Sequence, residues 1–428
     1  MKRFLFIFIA GLFVISFLYS EVNFDYGFYL RLRQEYWKNL FDLNNQGTLK
    51  NDNFFRLKSS LWGKWKFTDD LSLFSKLTNE AKYYVVSRKG ETFHSDEIVF
   101  DNLYLDIKNI FGLPVDVRIG RQDFLFTYGE GFLIMDGTPM DGSRTFYFNA
   151  IKSSWKINDK NTLDFVYIDN PRTDIYLPYY DFDGEKQVLN TSDESGFILY
   201  GKSKINNKFS VEPYYIYKVE DATDSTPKLT IRAIGTRGVY NSGGWGLRGE
   251  LAYEFGEYEG GNERNGIGGY LFYSRQFKNA RFSPSFEIGF VYLSGDDPNS
   301  PDNEGWNPLF SRWPWLSELY ILTYAPETGI PAYWTNLQLY RTSLKLQLSK
   351  KASLNLWYNY LKANEYTAGS IFSNTGKERG HLPQLMFKYK FTKDIDGYIL
   401  TEYFIPGDFY VDTSDSALFF RWQLQFKF

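Results

Sequence analysis

The chain has 428 residues, a formal net charge of −3, no cysteine, only two histidines, and 20% aromatic residues. Without cysteine there are no disulfides, no thiolate nucleophile, no thiolate metal site and no lipid-attachable residue. Two histidines, His94 and His381, are too few for a histidine metal cluster, and the charge balance has none of the basic excess of a nucleic-acid binder. The 34 Tyr, 40 Phe and 11 Trp instead suit the aromatic girdles of a membrane barrel. A mean hydropathy of −0.39 does not oppose this, because only alternate residues of a barrel strand face lipid.

Lys2 and Arg3 precede an apolar run from Phe4 to Leu18, then Tyr19-Ser20 and a polar segment. This is the layout of a secretory signal peptide, with cleavage expected after Ser20 and residues 21–428 left as one barrel domain. The run is short of the roughly 20 residues of a spanning helix, and no later run is apolar enough to be one.

From residue 21 onward the pattern is strand-like. The runs are 23–37, 53–67, 70–86, 97–108, 113–122, 143–156, 160–170, 192–205, 208–220, 227–240, 244–257, 262–278, 281–295, 334–349, 352–365, 379–392, 395–406 and 415–428. Every second connection is tight and turn-rich, as at Thr68-Asp69-Asp70, Asn158-Asp159-Lys160 and Thr392-Lys393-Asp394. Most of the others are long: 38–52, 87–96, 123–142, 171–191, 296–333 and 366–378. About eighteen strands with short and long loops in alternation predict an all-β, antiparallel, up-and-down transmembrane barrel. Short turns then lie in the periplasm, long loops outside the cell, and outer-membrane lipid surrounds the wall.

If the apolar set of each strand faces lipid, parity names the lumen set. The early strands give Arg31, Arg33 and Glu35, then Arg56, Lys58, Lys64 and Lys66, then Lys76, Glu80 and Lys82. Later ones give Arg118, Lys152, Lys202, Lys204, Lys218, Arg232, Arg248, Arg341, Lys345, Lys388, Lys390 and Arg421. The clearer lumen acids are Asp106, Asp116, Glu212, Glu250, Glu254, Glu287 and Glu402, so the map is basic on balance. A basic lumen with low-dielectric walls concentrates anions. The competing view is that charges of both signs pair and merely keep the interior wet. Lumen aromatics such as Trp62 and Tyr104 suit either sugar contact or packing.

Acid collects in the long loops. Asp296, Asp297, Asp302 and Glu304 could chelate Ca²⁺, but they lack the spacing of a known calcium loop and read better as a solvated stretch. The loop 296–333, with Trp306, Trp313 and Trp315, could fold inward as a constriction or outward as a binding surface. The last strand, Leu418 to Phe428, alternates Leu418, Phe420, Trp422, Leu424, Phe426 and Phe428 with a mostly polar set and ends on an aromatic.

Three stretches resemble the bacterial alginate export family of outer-membrane proteins. Val117 to Gly137 carries Gly120-Arg121-Gln122 followed by Tyr128-Gly129-Glu130-Gly131, and Gly142 to Lys152 begins Gly-Ser-Arg-Thr-Phe with Arg144. Ser294 to Asp297 with Asn307-Pro308-Leu309-Phe310 is the second, and Glu402 to Tyr410 the third. Asn149 and Lys152 stand where the family usually has Asp and Arg. The resemblance implies a monomeric eighteen-stranded barrel with an arginine-rich pore for an anionic polysaccharide, and makes Arg121 and Arg144 its matched arginines. Parity puts Arg121 on the lipid side, so a bulge or strand end is expected there; Gly129 and Gly131 suit a folded-in loop.

These features together suggest a channel for anionic solutes such as an alginate-like saccharide, with no cofactor and with periplasmic export partners left open. A diffusion porin for small solutes and a plugged structural or adhesive barrel are the alternatives. An enzyme would need a nucleophile with a histidine base in reach, and no such constellation stands out.

Overall fold

A computed structural model describes residues 22–45, 51–135, 142–182, 184 and 187–428; the expected signal peptide lies outside them. Eighteen long antiparallel strands form one closed barrel. They are β1 (Asn23–Lys38), β2 (Asn51–Lys66), β3 (Leu71–Val86), β4 (Ile98–Ile107), β5 (Val115–Gln122), β6 (Phe148–Asn158), β7 (Asn161–Asn170), β8 (Glu194–Lys204) and β9 (Phe209–Glu220). The circuit continues with β10 (Leu229–Ser242), β11 (Trp245–Tyr258), β12 (Glu263–Gln276), β13 (Ser285–Leu293), β14 (Leu337–Gln347), β15 (Ala352–Lys362), β16 (Glu378–Lys390), β17 (Ile395–Pro406) and β18 (Ala417–Lys427).

Each strand pairs with its chain neighbours, and β18 closes on β1 in the register Tyr29↔Lys427 to Lys38↔Leu418. Closure leaves no open edge, so every strand's ladder is satisfied inside the hydrocarbon layer. Leu57, Leu61, Ile151, Ile234, Leu251 and Leu271 are exposed outward, as lipid-facing positions must be. No described helix is long and apolar enough to cross a membrane.

Two long loops fold into the barrel. The β5–β6 loop and the β13–β14 loop join through a two-residue parallel pairing, Ile134-Met135 with Phe310-Ser311. Gly131 makes the join possible. Its positive φ of 75° turns the chain, and its carbonyl accepts Ser311 Oγ at 2.5 Å and Trp313 Nε1 at 2.9 Å. The sixth strand begins at Phe148 rather than 143, so Arg144 belongs to this inward loop.

The inserted loops pack against the extracellular half of β8 to β14. Ile216, Ile231, Ala233, Val291, Leu293 and Leu339 point inward there and are wholly buried. Trp306 lies on Gly268, where a Cβ would meet the indole at 2.7 Å, and stacks on Phe132 with ring centres 5.0 Å apart. The apolar set therefore faces inward along this arc, which overturns one sequence assignment. Arg232 does not face the lumen: it sits outside, opposite Tyr217, 5.5 Å from that ring centre, while Ile231 and Ala233 take the inward positions. Its long side chain can reach the headgroup layer from there.

Candidate functional site: a charged chamber beside the inserted loops

The opposite arc is built differently. β18, β1, β2 and β3 bring Arg421, Arg31, Arg33 and Arg56 to one level of the lumen, with Glu35 and Glu80 between them. Glu35 is fully buried and accepts from Arg33 Nη1 at 3.3 Å, Arg56 Nη1 at 3.2 Å, Arg421 Nε at 3.0 Å and Trp37 Nε1 at 3.0 Å. Glu80, equally buried, accepts from Arg31 Nη2 at 2.7 Å and from Arg56 Nε and Nη2 at 2.8 and 2.5 Å. Arg33 also donates to Gln423, and Arg421 donates to Glu318 of the inserted loop at 2.5 Å. The arginines are fixed in orientation before any solute arrives.

A cavity of about 230 Å³ opens onto this network. The wall supplies Arg31, Arg33, Arg56 and Arg421, and the inserted loop adds Arg312, Trp313 and Glu318. Arg312 itself donates to Glu194 at 3.1 Å. Lys58 is tied to the Gly142 carbonyl at 2.9 Å, which pins the β5–β6 loop to the same wall.

Arg121 and Arg144 lie elsewhere and are almost completely buried. Arg121 stands one residue before the end of β5, beyond Gly120, whose φ of 122° lets the strand approach Leu103 closely. Its guanidinium grips Asp174 through two bonds of 2.8 Å, and Arg144 donates to the same carboxylate at 2.6 Å and to Glu97. Burial pushes the Asp174 carboxyl up, but Arg121 and Arg144 outweigh it and hold it at about 2. Both arginines are thus consumed in anchoring loops and are not presented to the lumen.

Other sequence candidates are distributed around the wall. Arg118 pairs with Asp106 at 2.6 Å and lies 3.9 Å over the Tyr104 ring. Lys152 and Lys202 each approach Asp164 at 3.6 Å, and Tyr128 of the inserted loop donates to that carboxylate at 3.1 Å. Arg248 binds Glu130 at 2.5 Å and also Glu287. Arg341 donates to Asn359 and to the Leu316 carbonyl. Lys64 and Lys345 lie near the periplasmic mouth.

Parity missed two interior charges, Arg237, which pairs with Glu212 at 3.1 Å, and Asp101, which pairs with Lys76 at 2.8 Å. A shift in the register between β3 and β4 beside Lys76 moves Asp101 to the inner face. Beside it, burial lifts the Asp123 carboxyl to about 6, with Lys76 pulling it down and Asp101 pushing it up.

Among the described residues no group of acids and histidines is arranged to hold a metal. In the acidic loop Asp296, Asp297 and Asp302 accept the backbone N–H groups of Glu304, Asn299 and Glu263, which is turn capping. His94 pairs with Asp96 at 2.7 Å, and His381 bonds Tyr358 at 2.8 Å.

Comparison with known proteins agrees with this architecture. Residues 22–423 match the family model described as alginate export. No curated protein matches the sequence. Among solved structures, a BenF-like porin from Pseudomonas fluorescens superposes with a TM-score of 0.62 at 10% identity, covering 95% of this chain and 98% of that one. Pseudomonas aeruginosa OccK5 (OpdH) gives 0.57 at 11% identity with 94% and 98% coverage, and Acinetobacter baumannii OccAB4 gives 0.57 at 11% with 95% and 98%. A barrel of this kind resides in the bacterial outer membrane, and the chain belongs to the alginate export family.

Proposed function

We propose that this barrel passes anionic solutes, with a uronate-rich oligo- or polysaccharide as the cargo class its interior suits. The observation that carries this reading is the convergence of Arg31, Arg33, Arg56 and Arg421 on one cavity beside the inserted loops. Guanidiniums fix carboxylates in planar, bidentate pairs. Here each already shares its charge with Glu35, Glu80 or Glu318, so a passing carboxylate competes with an internal one. Binding stays weak enough to release, as conduction requires.

The family match supports the saccharide class. In planar bilayers, a uronate oligosaccharide should interrupt the current of the purified protein, and a neutral oligosaccharide of equal length should not. Equal interruption by the two contradicts the reading.

The narrowness of the chamber favours a second reading, a porin for small organic anions. The BenF-like porin shares that fold, at an identity too low to bring its cargo. If single-ring carboxylates block the current as well as the oligomer does, this second reading holds instead.

A further inference from the structure

The outer wall of β10 to β12 carries two arginines, one near each end. Arg232 lies in β10, close to the extracellular end, and Arg275 in β12, close to the periplasmic end. Arg275 points outward beside Trp245, 3.9 Å from that ring centre, and donates to the Gly243 carbonyl at 3.0 Å. Register carries its level across to β10, since Arg275 pairs with Trp245 and Trp245 with Ser242. From Arg232 to Ser242 the strand runs about 33 Å at about 3.3 Å per residue, which at a tilt of about 40° covers about 25 Å of membrane, the height of a barrel's apolar band. Between the two levels the outward residues of β10, Ile234, Thr236, Gly238 and Tyr240, are uncharged. The two arginines therefore mark the two headgroup layers, and Arg232 marks the outer one.

Arg232 is uncommitted. Its guanidinium lies 5.5 Å from the centre of the Tyr217 ring and makes no ion pair or hydrogen bond among the described residues. The outward acid of β11, Glu257, stands nearer the cell exterior, opposite Thr230, and is not paired with it. Lys362 and His381, outward near the same end of β15 and β16, differ: Lys362 stands opposite Glu378, and His381 lies 3.6 Å from that carboxylate. A guanidinium held at the headgroup layer with its N–H groups unused suits a phosphate, which it can meet with two parallel bonds.

Directly below Arg232 the wall is dented. Pro213 has no N–H to give the ladder, and the β8–β9 register is unpaired between Tyr200↔Tyr214 and Ser203↔Val211. Gly201 faces Pro213 across this gap, where a Cβ would lie 3.3 Å from the proline ring. The result is a concavity of about 590 Å³ walled by Leu199, Tyr215, Ile234, Leu251, Tyr253 and Ile267. Tyr215 and Ile234 stand opposite each other, one outward step below the pair Tyr217 and Arg232. Cation and groove are thus continuous, charged above and apolar beneath. That is the complement of a phosphorylated acyl lipid standing in the outer leaflet; a soluble anion would leave the groove empty.

We infer that the outer wall of β8 to β12 is a binding site for a phosphorylated glycolipid of the lipid A class, with a phosphate on Arg232 and an acyl chain in the groove below it. The level of Arg232 selects this lipid, because the phosphate it meets belongs to the extracellular leaflet. Tyr217 holds the guanidinium from one side and leaves its edge to the phosphate.

The test uses the full-length protein in detergent, mixed with diphosphorylated lipid A, and counts retained lipid by native mass spectrometry. The wild-type barrel should keep one lipid A. Arg232→Gln, or removal of the phosphates from the lipid, should each lower retention on the order of 10-fold. Thr236→Trp, which fills the groove from its outer edge, should lower it with Arg232 intact, and Arg275→Gln at the other leaflet should leave it unchanged. The fold of each variant is checked by heat-modifiable gel mobility. Unchanged retention in Arg232→Gln overturns the phosphate contact, and unchanged retention in Thr236→Trp overturns the groove. Equal retention of phosphatidylglycerol overturns lipid A as the occupant. The site is independent of the anion-channel reading: the reversal potential of Arg232→Gln should equal that of the wild type, and a shifted one would place Arg232 in the lumen and overturn the site.

Discussion

The two arcs of the barrel interior solve the same problem in opposite ways. Along the extracellular half of β8 to β14 apolar side chains dominate the inner face, with Lys218 and Glu254 buried among them, and Trp306, Leu309 and Phe310 seal against it as a core does. Along β15 to β18 and β1 to β3 the inner face mixes polar groups with the buried Leu361, Leu382, Leu400 and Phe404, and the loops are held there by directed bonds as well. Glu402 accepts Ser317 Oγ at 2.5 Å and the Leu319 N–H at 2.8 Å, and Lys58 and Arg421 grip the loops as described. The dry arc fixes where the loops sit, and the charged arc is left to define the passage. The inserted loops therefore have one flank of largely apolar packing and one of oriented guanidiniums.

The largest expected effect comes from breaking the dry seal. Trp306→Ala removes a buried indole and should cost about 3–5 kcal/mol. The β13–β14 loop should then loosen, with single-channel conductance rising several-fold and protease cutting within 296–333. If conductance is unchanged, the loop is not held by this packing.

On the charged arc, Glu35→Gln leaves Arg33, Arg56 and Arg421 without their shared carboxylate, and should cost about 3 kcal/mol. Heat denaturation should come several degrees earlier, and anion preference should increase. A variant as stable as the parent would mean the arginines find other acceptors.

A sharper comparison sets Arg237 against Arg232, five residues apart on β10. Arg237→Ala leaves Glu212 with Tyr200 but without its guanidinium and weakens the hold on Glu130, at about 1–3 kcal/mol. Arg232→Ala on the outer surface should stay within about 0.5 kcal/mol. Thermal melts of the two variants that coincide would put both side chains in the same environment.

Acid should act on two interior carboxyls differently. Asp123 beside the charged arc, with its carboxyl near 6, gains a proton as pH falls from 7 to 5, so the lumen becomes more positive and anion preference should grow. Asp123→Asn should flatten that response. The Asp174 anchor behaves oppositely. Its carboxyl is depressed to about 2, so its stabilising contribution is present above the ordinary carboxylate value near 4 and is lost only as pH falls through about 2. Loop proteolysis should therefore be unchanged at pH 5.

Much of this architecture was legible in the sequence because a membrane barrel imposes a local rule. Period-two alternation and the succession of short and long loops located eighteen strands with ends within a few residues, including the closing strand at Leu418–Phe428. The rule fails where the lumen is not water. Parity directs Arg232 inward on the premise that apolar residues mark lipid, but Ile231 and Ala233 face an inserted loop instead. Arg144 was read into a strand, and its partners Glu97 and Asp174 lie 47 and 30 residues away. Ser311 and Gly131, which join the two loops, are separated by 180 residues, and no periodicity reports such a contact. The resemblance at Tyr128 to Gly131 and the tryptophan-rich loop 296–333, open between inward and outward, are the sequence's pointers to folded-in loops.

The most direct test of the central claim is the reversal potential of the purified barrel across a salt gradient in a planar bilayer. Chloride should permeate ahead of potassium, with the preference increasing between pH 7 and pH 5. A reversal potential at zero, or one favouring potassium, would contradict an anion channel built on the arginine chamber.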